Sequence, residues 1–468
     1  MSEIRDLSRP QTPDESYLAH MEHETQDRAE AAPAWEPAFT GAPVASTTAI
    51  AESIDELSTD LTGLLRRIHG LAETAFEEHE SAAAIAELLR SHGIEVETGV
   101  FGLDTAFRAT TGSGATVGSG ATTGSATATA SGSGTGRTIA ILAEYDALPE
   151  IGHGCGHNLI ATCAVGAFLA IAALCEQNPD AVPGRVVLLG TPAEEGHSGK
   201  ELMARAGAFE DIDAAIMVHG YGYDCAEQVW LGRRLLDVTF SGVPAHASAQ
   251  PFMGRNALDA ANLFYQGLGL LRQQMPPISR LHSVISSGGT RPSIITEDAQ
   301  VKCYVRSKYP DTLKELSARV EDVAKGAALM TGTGVDISWD EHAPSLPVRG
   351  NDALARRWAL HETDRGRSPL PARVLDESIA ASTDFGNVSY RIPGIHPLLK
   401  TADSEIALHT REFAAAAISP AAEEAARDGA YGLACTALDF LADDALAADV
   451  VAEFEAAGGA IDVPHFFD

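Results

Sequence analysis

Residues 143–160, AEYDALPEIGHGCGHNLI, set acidic side chains ahead of a glycine-rich turn that carries a thiol and two imidazoles. Cys155 and His157 stand two apart, where a flexible backbone lets neighbouring side chains converge on one ion. Thiolate and imidazole together suit zinc, and such sites also accept manganese, cobalt or nickel. Further donors follow: Glu194 and Glu195 in GTPAEEG, and His219 at the end of AAIMVHG. A two-metal hydrolytic site needs about five ligands, a water, a general base and a group for the developing oxyanion. Cys155, His157, Glu195, His219 and a histidine from the last part of the chain could supply the ligands. Glu194, beside a ligand but free of that duty, becomes the candidate general base, taking a proton and returning it to a leaving amine.

These residues need elements to hold them. RTIAILAEYDALPE reads as a buried strand leading to Asp146, then a glycine-rich loop and a helix over Asn158 to Cys175. RVVLLGTPAEEG repeats the pattern as a strand running into Glu194 and Glu195, followed by the helix SGKELMARAG. AAIMVHG is a third strand. Strand and helix alternation indicates an α/β sheet, whose functional residues gather at the carboxyl ends of its strands. From about Leu231 the order changes to strand, helix, two strands and helix, a compact α+β layer of about a hundred residues. Alternation then resumes to about residue 445.

The predicted organisation is therefore a disordered or extended arm over 1–48 and a catalytic domain over 49–230 and 333–445. An inserted domain spans 231–332 and a tail 446–468. The first helix is expected from about Ala51, with Ile54, Leu57, Leu61 and Leu64 at helical spacing, and a second from about Glu80 through Leu89. Residues 110–136, almost only Gly, Ser, Thr and Ala, read as a flexible surface insertion without chemistry.

At 468 residues the chain exceeds what one core supports, so two domains are expected. A net charge of -32 argues against nucleic acid, which needs clustered Lys and Arg. The N-terminus lacks a signal-like apolar stretch and no run is expected to span a membrane, so a cytoplasmic location is expected. Of six cysteines, Cys163, Cys175, Cys225, Cys303 and Cys435 read as reduced, small core residues. Cys155 differs by its setting of glycines and histidines.

AEYDALPEIGHGCGHN, GTPAEEGHSGK, GVPAHAS and STDFGNVS, in this order, resemble the co-catalytic metallopeptidases of the aminoacylase and glutamate carboxypeptidase family. Within it they are most similar to the amidohydrolase branch that includes p-aminobenzoyl-glutamate hydrolase and β-alanyl-lysine dipeptidase. The resemblance runs from roughly Ile54 to Leu441. It implies a three-layer αβα catalytic domain with an inserted ferredoxin-like α+β dimerisation (lid) domain. It also implies two metal ions held by Cys155, His157, Glu195, His219 and His409, with the thiolate in place of a bridging aspartate. Glu194 matches the general base, and Asp146 an aspartate behind the metals that orients ligands. Position 144, a histidine ligand in the carboxypeptidase branch, is Glu144 here.

By the same resemblance His246, in GVPAHAS, reaches the partner subunit's site in a homodimer and holds the oxyanion. Arg306 and Ser293 match the residues that bind the substrate carboxylate, with Ser293 standing where the family has Asn. The expected substrate is a small dipeptide or N-acyl amino acid, with p-aminobenzoyl-glutamate or related folate fragments as the alternative. A catalytically silent metal-binding homologue and a phosphoesterase are the readings from other classes. Base, ligands and oxyanion histidine together speak against the first, and the scarcity of basic residues against the second. His153, in the ligand loop, stays open as a ligand or substrate contact. His396 competes with His409, which the family pattern favours. Asp384 and Asn387 read equally as a turn or helix cap, to which Asp and Asn are suited, or as part of a substrate loop, where the resemblance places them. His79, His197, His282 and His465 read as surface or structural histidines.

Overall fold

Two runs, TIAILA and RVVLLG, are apolar at nearly every position, a pattern a strand carries when both of its faces are covered. The computed structural model, which describes residues 10–113 and 136–468, covers both. The first strands are β1 (Val96–Thr98), β2 (Phe107–Gly112), β3 (Thr138–Ala143), β4 (Arg185–Gly190), β5 (Ala214–Ile216) and β6 (His219–Tyr221). An inserted layer holds β7 (Gly232–Ser241), β8 (Arg280–Ser287), β9 (Asp298–Ser307) and β10 (Gly334–Trp339), and β11 (Gly394–Ile395) and β12 (Leu398–Lys400) follow. The main sheet runs β1-β2-β4-β3-β5-β11, with β3 parallel to β4 and β5, and β2 antiparallel to β4.

Side-chain alternation sorts this sheet into two cores. Ile139, Ile141, Val186 and Leu188 pack with the helices on one face, while Ala140, Leu142, Val187 and Leu189 join Met203, Phe385 and Val388 on the other. The result is the expected three-layer α/β arrangement. On the first face the helix His157–Gln177 lies against Pro420–Ala442, Ser58–Leu71 and Val44–Glu56. This 21-residue helix is long and apolar enough to cross a bilayer, contrary to the expectation that no run would be. Its surroundings explain the composition: it is buried on nearly all sides inside the protein.

In the inserted layer the order is strand, helix (Ala257–Leu271), two strands, helix (Pro310–Thr331) and strand. The antiparallel sheet runs β10-β7-β9-β8, the ferredoxin-like arrangement. Leu236, Val238 and Phe240 alternate inward from β7 and pack on both helices. The expected boundary at 332 stops short of β10, which pairs with β7 from Gly334↔Ser241 to Trp339↔Leu236. The insertion expected over 110–136 overlaps β2 at Thr110 to Gly112, and its part from 114 to 135 lies outside the described residues.

Three further expectations need correction. The arm read as disordered or extended contains a helix, Ser16–Ala31, and its residues 1–9 lie outside the described residues. Few of its side chains are buried, Met21 and Thr25 among them, so apolar periodicity gave no signal. Polar anchors hold it instead: Arg28 Nε donates to Val374 O at 2.7 Å, and Tyr223 donates to Glu22. Beyond it Trp35 Nε1 donates to Pro369 O at 2.8 Å. The tail expected over 446–468 begins inside a helix. Asp443 caps a helix Asp444–Ala456 by accepting from Ala445 N and Leu446 N, and Leu446, Val450 and Phe454 turn inward at four-residue spacing. The helix expected from Ala51 begins at Val44 and breaks at Leu57 between two segments.

Candidate metal centre

The turn from β3 into the buried helix brings Cys155 and His157 together. Gly156 between them has φ +78°, a left-handed conformation that costs other residues about 1–2 kcal/mol. Cys155 Sγ lies 3.4 Å from His219 Nε2, and His219 Nδ1 donates to Gly220 O at 2.8 Å, which leaves Nε2 as the free ring nitrogen. His157 Nδ1 donates to Asp146 Oδ1 at 3.0 Å, so its Nε2 is likewise free, buried and without a hydrogen-bond partner. The second oxygen of Asp146 accepts from Glu195 N at 2.9 Å. One carboxylate thus fixes an imidazole and the backbone of the acidic turn, as such outer partners do.

His409 has φ +62°, and its backbone N–H donates to Gly154 O at 2.8 Å, which ties the last part of the chain to the cysteine loop. Its Nε2 comes within 3.6 Å of Glu195 Oε1, a buried oxygen with no hydrogen-bond partner. The donors form two sets that share one sulfur: Cys155, His157 and His219, and Cys155, Glu195 and His409, each with ligand atoms within 4.8 Å of one another. All five residues expected as ligands therefore converge. Glu194 joins His157 and Glu195 in a third such set, its Oε2 3.9 Å from His157 Nε2.

Electrostatics in this cluster favour an added positive charge. Burial pulls the His157 imidazole down, yet the Asp146 and Glu144 carboxylates outweigh it and hold it well above its ordinary value. Burial alone would raise Asp146, and the His157 charge and hydrogen bond bring it below the usual carboxylate range. Glu194 is pushed well up by burial and then by the charges of Glu144, Glu195 and Asp384. Burial, then the Glu195 charge, pushes the Cys155 thiol well up, and burial holds His219 down at about 4. Unpartnered buried acceptors, crowded carboxylates and free imidazole nitrogens are what a divalent cation would satisfy, so the donor set fits a metal.

His153 Nε2 meets Ile68 O at 3.1 Å, and burial holds the ring down at about 3, so it anchors the loop to a neighbouring helix. His396 stacks on Trp230 with centroids 4.7 Å apart, outside the donor sets found among the described residues. Asp384 stands at the N-cap position of the short helix Phe385–Ser389 but makes no capping bond there: its Oδ1 accepts from Lys200 Nζ at 2.7 Å and its Oδ2 from Lys200 N at 2.9 Å. Asn387 bonds Leu346 N and Glu201, a structural role.

The inserted-layer residues lie apart from the donors. His246 is exposed, and its Nδ1 accepts from Ser248 N and Ala249 N at 3.3 and 3.2 Å, leaving Nε2 outward as a donor. Ser293 is its neighbour, since Ala247 N donates to Ser293 O at 3.0 Å. Arg306, half-buried on β9 between Arg233 and Arg280 of the flanking strands, keeps Nε without a partner. Burial and Arg233 pull its guanidinium down, and the Glu194 charge acts the other way, so Arg306 lies in the field of the candidate base.

Sequence reasoning missed two buried residues. Lys200 bridges Glu144 and Asp384, and Glu144 Oε2 sits 3.5 Å from His157 Nε2, so that carboxylate is held beside the cluster by an ammonium. Gly199 makes this possible, because a Cβ there would fall 1.8 Å from Pro192 O. Glu78, fully buried, accepts from Ala193 N at 2.8 Å and from Thr105 Oγ1 at 2.9 Å. Ala193 carries φ +60° one residue before Glu194, so Asp146 and Glu78 grip the strained turn from both sides. Glu78→Ala is expected to destabilise the protein by about 1–3 kcal/mol through the orphaned amide and to lower kcat with metal content retained. Glu78→Gln keeps an acceptor and should recover most of both. Wild-type kinetics and melting in Glu78→Ala would show that the turn holds unaided.

Buried thiol, imidazole and carboxylate donors at the carboxyl ends of parallel strands, with a spare carboxylate alongside, form the arrangement of a metallohydrolase. Residues 140–427 match Peptidase family M20/M25/M40, more than half of the chain, and the chain belongs to that family. It is a hydrolase of peptide or linear amide bonds. A mouse relative, Xaa-Arg dipeptidase, is 36% identical over 408 residues, 86% of this chain and 91% of the mouse protein. A subunit of the p-aminobenzoyl-glutamate hydrolase of Escherichia coli K12 is 30% identical over 404 residues, 71% of this chain and 79% of that protein. The fold resembles a dinuclear metal-binding peptidase of the M20 family from Bacillus subtilis, with TM-score 0.60 at 18% identity, over 83% of this chain and 99% of that one.

Proposed function

We propose that this chain is a dinuclear metal-dependent amide hydrolase that cleaves a small dipeptide or N-acyl amino acid. The observation that carries this reading is the pair of donor sets joined at Cys155 Sγ, with Glu194 beside them. Cys155, His157 and His219 would hold one ion, and Cys155, Glu195 and His409 the other. Zinc suits the thiolate, with manganese, cobalt or nickel as substitutes. When bound, such ions polarise the scissile carbonyl and acidify water.

The residues do the rest. Glu194 takes a proton from the attacking water as the C–O bond forms, and delivers it to the nitrogen as the C–N bond breaks. Asp146 keeps His157 in one tautomer and holds the Glu195 backbone. Arg306 grips the substrate carboxylate through its planar fork, while Ser293, beside His246 at the other end of β9, accompanies that histidine. His246 of one protomer donates its Nε2–H to the oxyanion in its partner's site. The edge strand β8, with exposed Tyr265 and Leu270 on the helix that packs against it, offers a surface for that homodimer. Hydrolysis of p-aminobenzoyl-glutamate is the second reading, favoured by the relative that bears that name.

Mixing His246→Ala with Glu194→Ala protomers tests the shared site. In a two-fold dimer one site of each mixed pair is complete, so statistical mixing should restore about one quarter of wild-type activity. Mixed dimers that show no rescue would refute sharing.

A further inference from the structure

We infer that the cavity beside His219 and His409 receives the acyl-side group of the substrate, and that it selects an uncharged, apolar group there. The inference rests on the amide-hydrolase reading above and adds the substrate class. The cavity encloses about 280 Å³. That is below the roughly 300–1,000 Å³ of a pocket for a whole small ligand, so it suits one group of the substrate.

Trp230, Tyr221, Leu398, Leu408, Val229 and Ile379 form most of its wall, and no lining residue is charged. Two of its polar groups are committed, Trp230 Nε1 donating to His396 O and Gln228 Nε2 to Ile379 O, and those that remain, the Tyr221 and Ser378 hydroxyls and the Gln228 amide oxygen, are neutral. An ammonium or guanidinium entering it would lose water without meeting an opposite charge, and desolvating an unpaired ion costs several kcal/mol.

Its position gives the direction of binding. The Trp230 ring lies 5.2 Å from the His219 ring, and Leu408 directly precedes His409, so the cavity borders the donor cluster on the side of these two histidines. Glu194 stands with His157, Glu195, Glu144 and Asp384 instead, in the field of Arg306. Because Glu194 delivers the proton to the departing nitrogen, the amine half and its carboxylate lie on the Glu194 and Arg306 side. The acyl half then extends past His219 and His409 into the cavity.

The test uses the metal-loaded enzyme and four N-acyl alanines with a free carboxylate: N-acetyl, N-hexanoyl, N-benzoyl and N-(6-aminohexanoyl). Hexanoyl and benzoyl compounds should exceed acetyl in kcat/KM by at least about tenfold. The 6-aminohexanoyl compound, equal in length to hexanoyl but cationic, should fall at least about a hundredfold below it. Ala380→Asp puts a carboxylate on the cavity wall and should narrow or invert that ratio. Equal rates for the hexanoyl and aminohexanoyl compounds, or an unchanged ratio in Ala380→Asp, would overturn the proposal. If no compound is cleaved, the hydrolase reading fails separately, and calorimetric binding of the same pair still decides the cavity: equal affinities overturn it.

Discussion

Glu194→Gln is expected to lower kcat by about 10²–10⁴-fold while leaving KM and metal content near wild type. The two Cys155 donor sets leave this carboxylate free, Lys200 pairs with Glu144 and Asp384 rather than with it, and it faces His157 Nε2 at 3.9 Å. Gln keeps the shape and removes the proton acceptor, so loss of turnover with retained binding isolates proton transfer. The same change should stabilise the metal-free protein. Burial and the charges of Glu144, Glu195 and Asp384 raise Glu194 above its ordinary 4.5, so the folded state binds a proton that the unfolded state has released. Stability then falls as pH rises past that value, and the variant escapes the penalty. The melting gap between variant and wild type, both metal-free, should open above about pH 4.5 and grow toward neutrality. Full activity in Glu194→Gln would sink the mechanism, and a gap that closes as pH rises would contradict the electrostatics.

The ligand loop was legible because its chemistry is local. Cys155, Gly156 and His157 are adjacent, and the acidic pair 194–195 follows a strand whose unbroken apolar run announces its burial. Lys200 and Glu78 carried no such mark. A lysine or glutamate next to a glycine or a helix start is ordinary on a surface, and only the fold encloses both at 0% exposure. The helix Ser16–Ala31 was missed for the opposite reason, since it is held by Arg28, Glu22 and Thr25 rather than by an apolar stripe. β10 was missed because its alternate residues are exposed and its meaning comes from pairing with β7, some ninety residues earlier in the chain. His246 shows a further limit. Its loop geometry aims Nε2 outward, and what it meets there depends on a second protomer.

Cys155→Ala should cost the most of any single ligand change, because Cys155 is the donor common to both sets. Losing Glu195 or His219 weakens one set, whereas losing the sulfur weakens two. Activity is expected to fall at least about 10³-fold, and dialysed protein should retain far less metal than wild type, as expected when a ligand supplies folding-linked binding energy. The fold should survive, since Cys155 is small and the main core lies beyond it. Protons give a readout independent of activity. In the metal-free protein, burial and Glu195 keep the Cys155 thiol protonated, and Asp146 and Glu144 hold a proton on His157. A metal needs thiolate and neutral imidazole, so its uptake expels both protons. Zinc titrated by calorimetry, in buffers of different ionisation enthalpy, should therefore release about one proton fewer in Cys155→Ala than in wild type. The upward shift in melting temperature on adding zinc should shrink in parallel, because stabilisation follows affinity. Undiminished two-ion occupancy and an unchanged proton count in Cys155→Ala would mean that the sulfur is a bystander. His157, His219, Glu195 and His409 would then have to close the site alone.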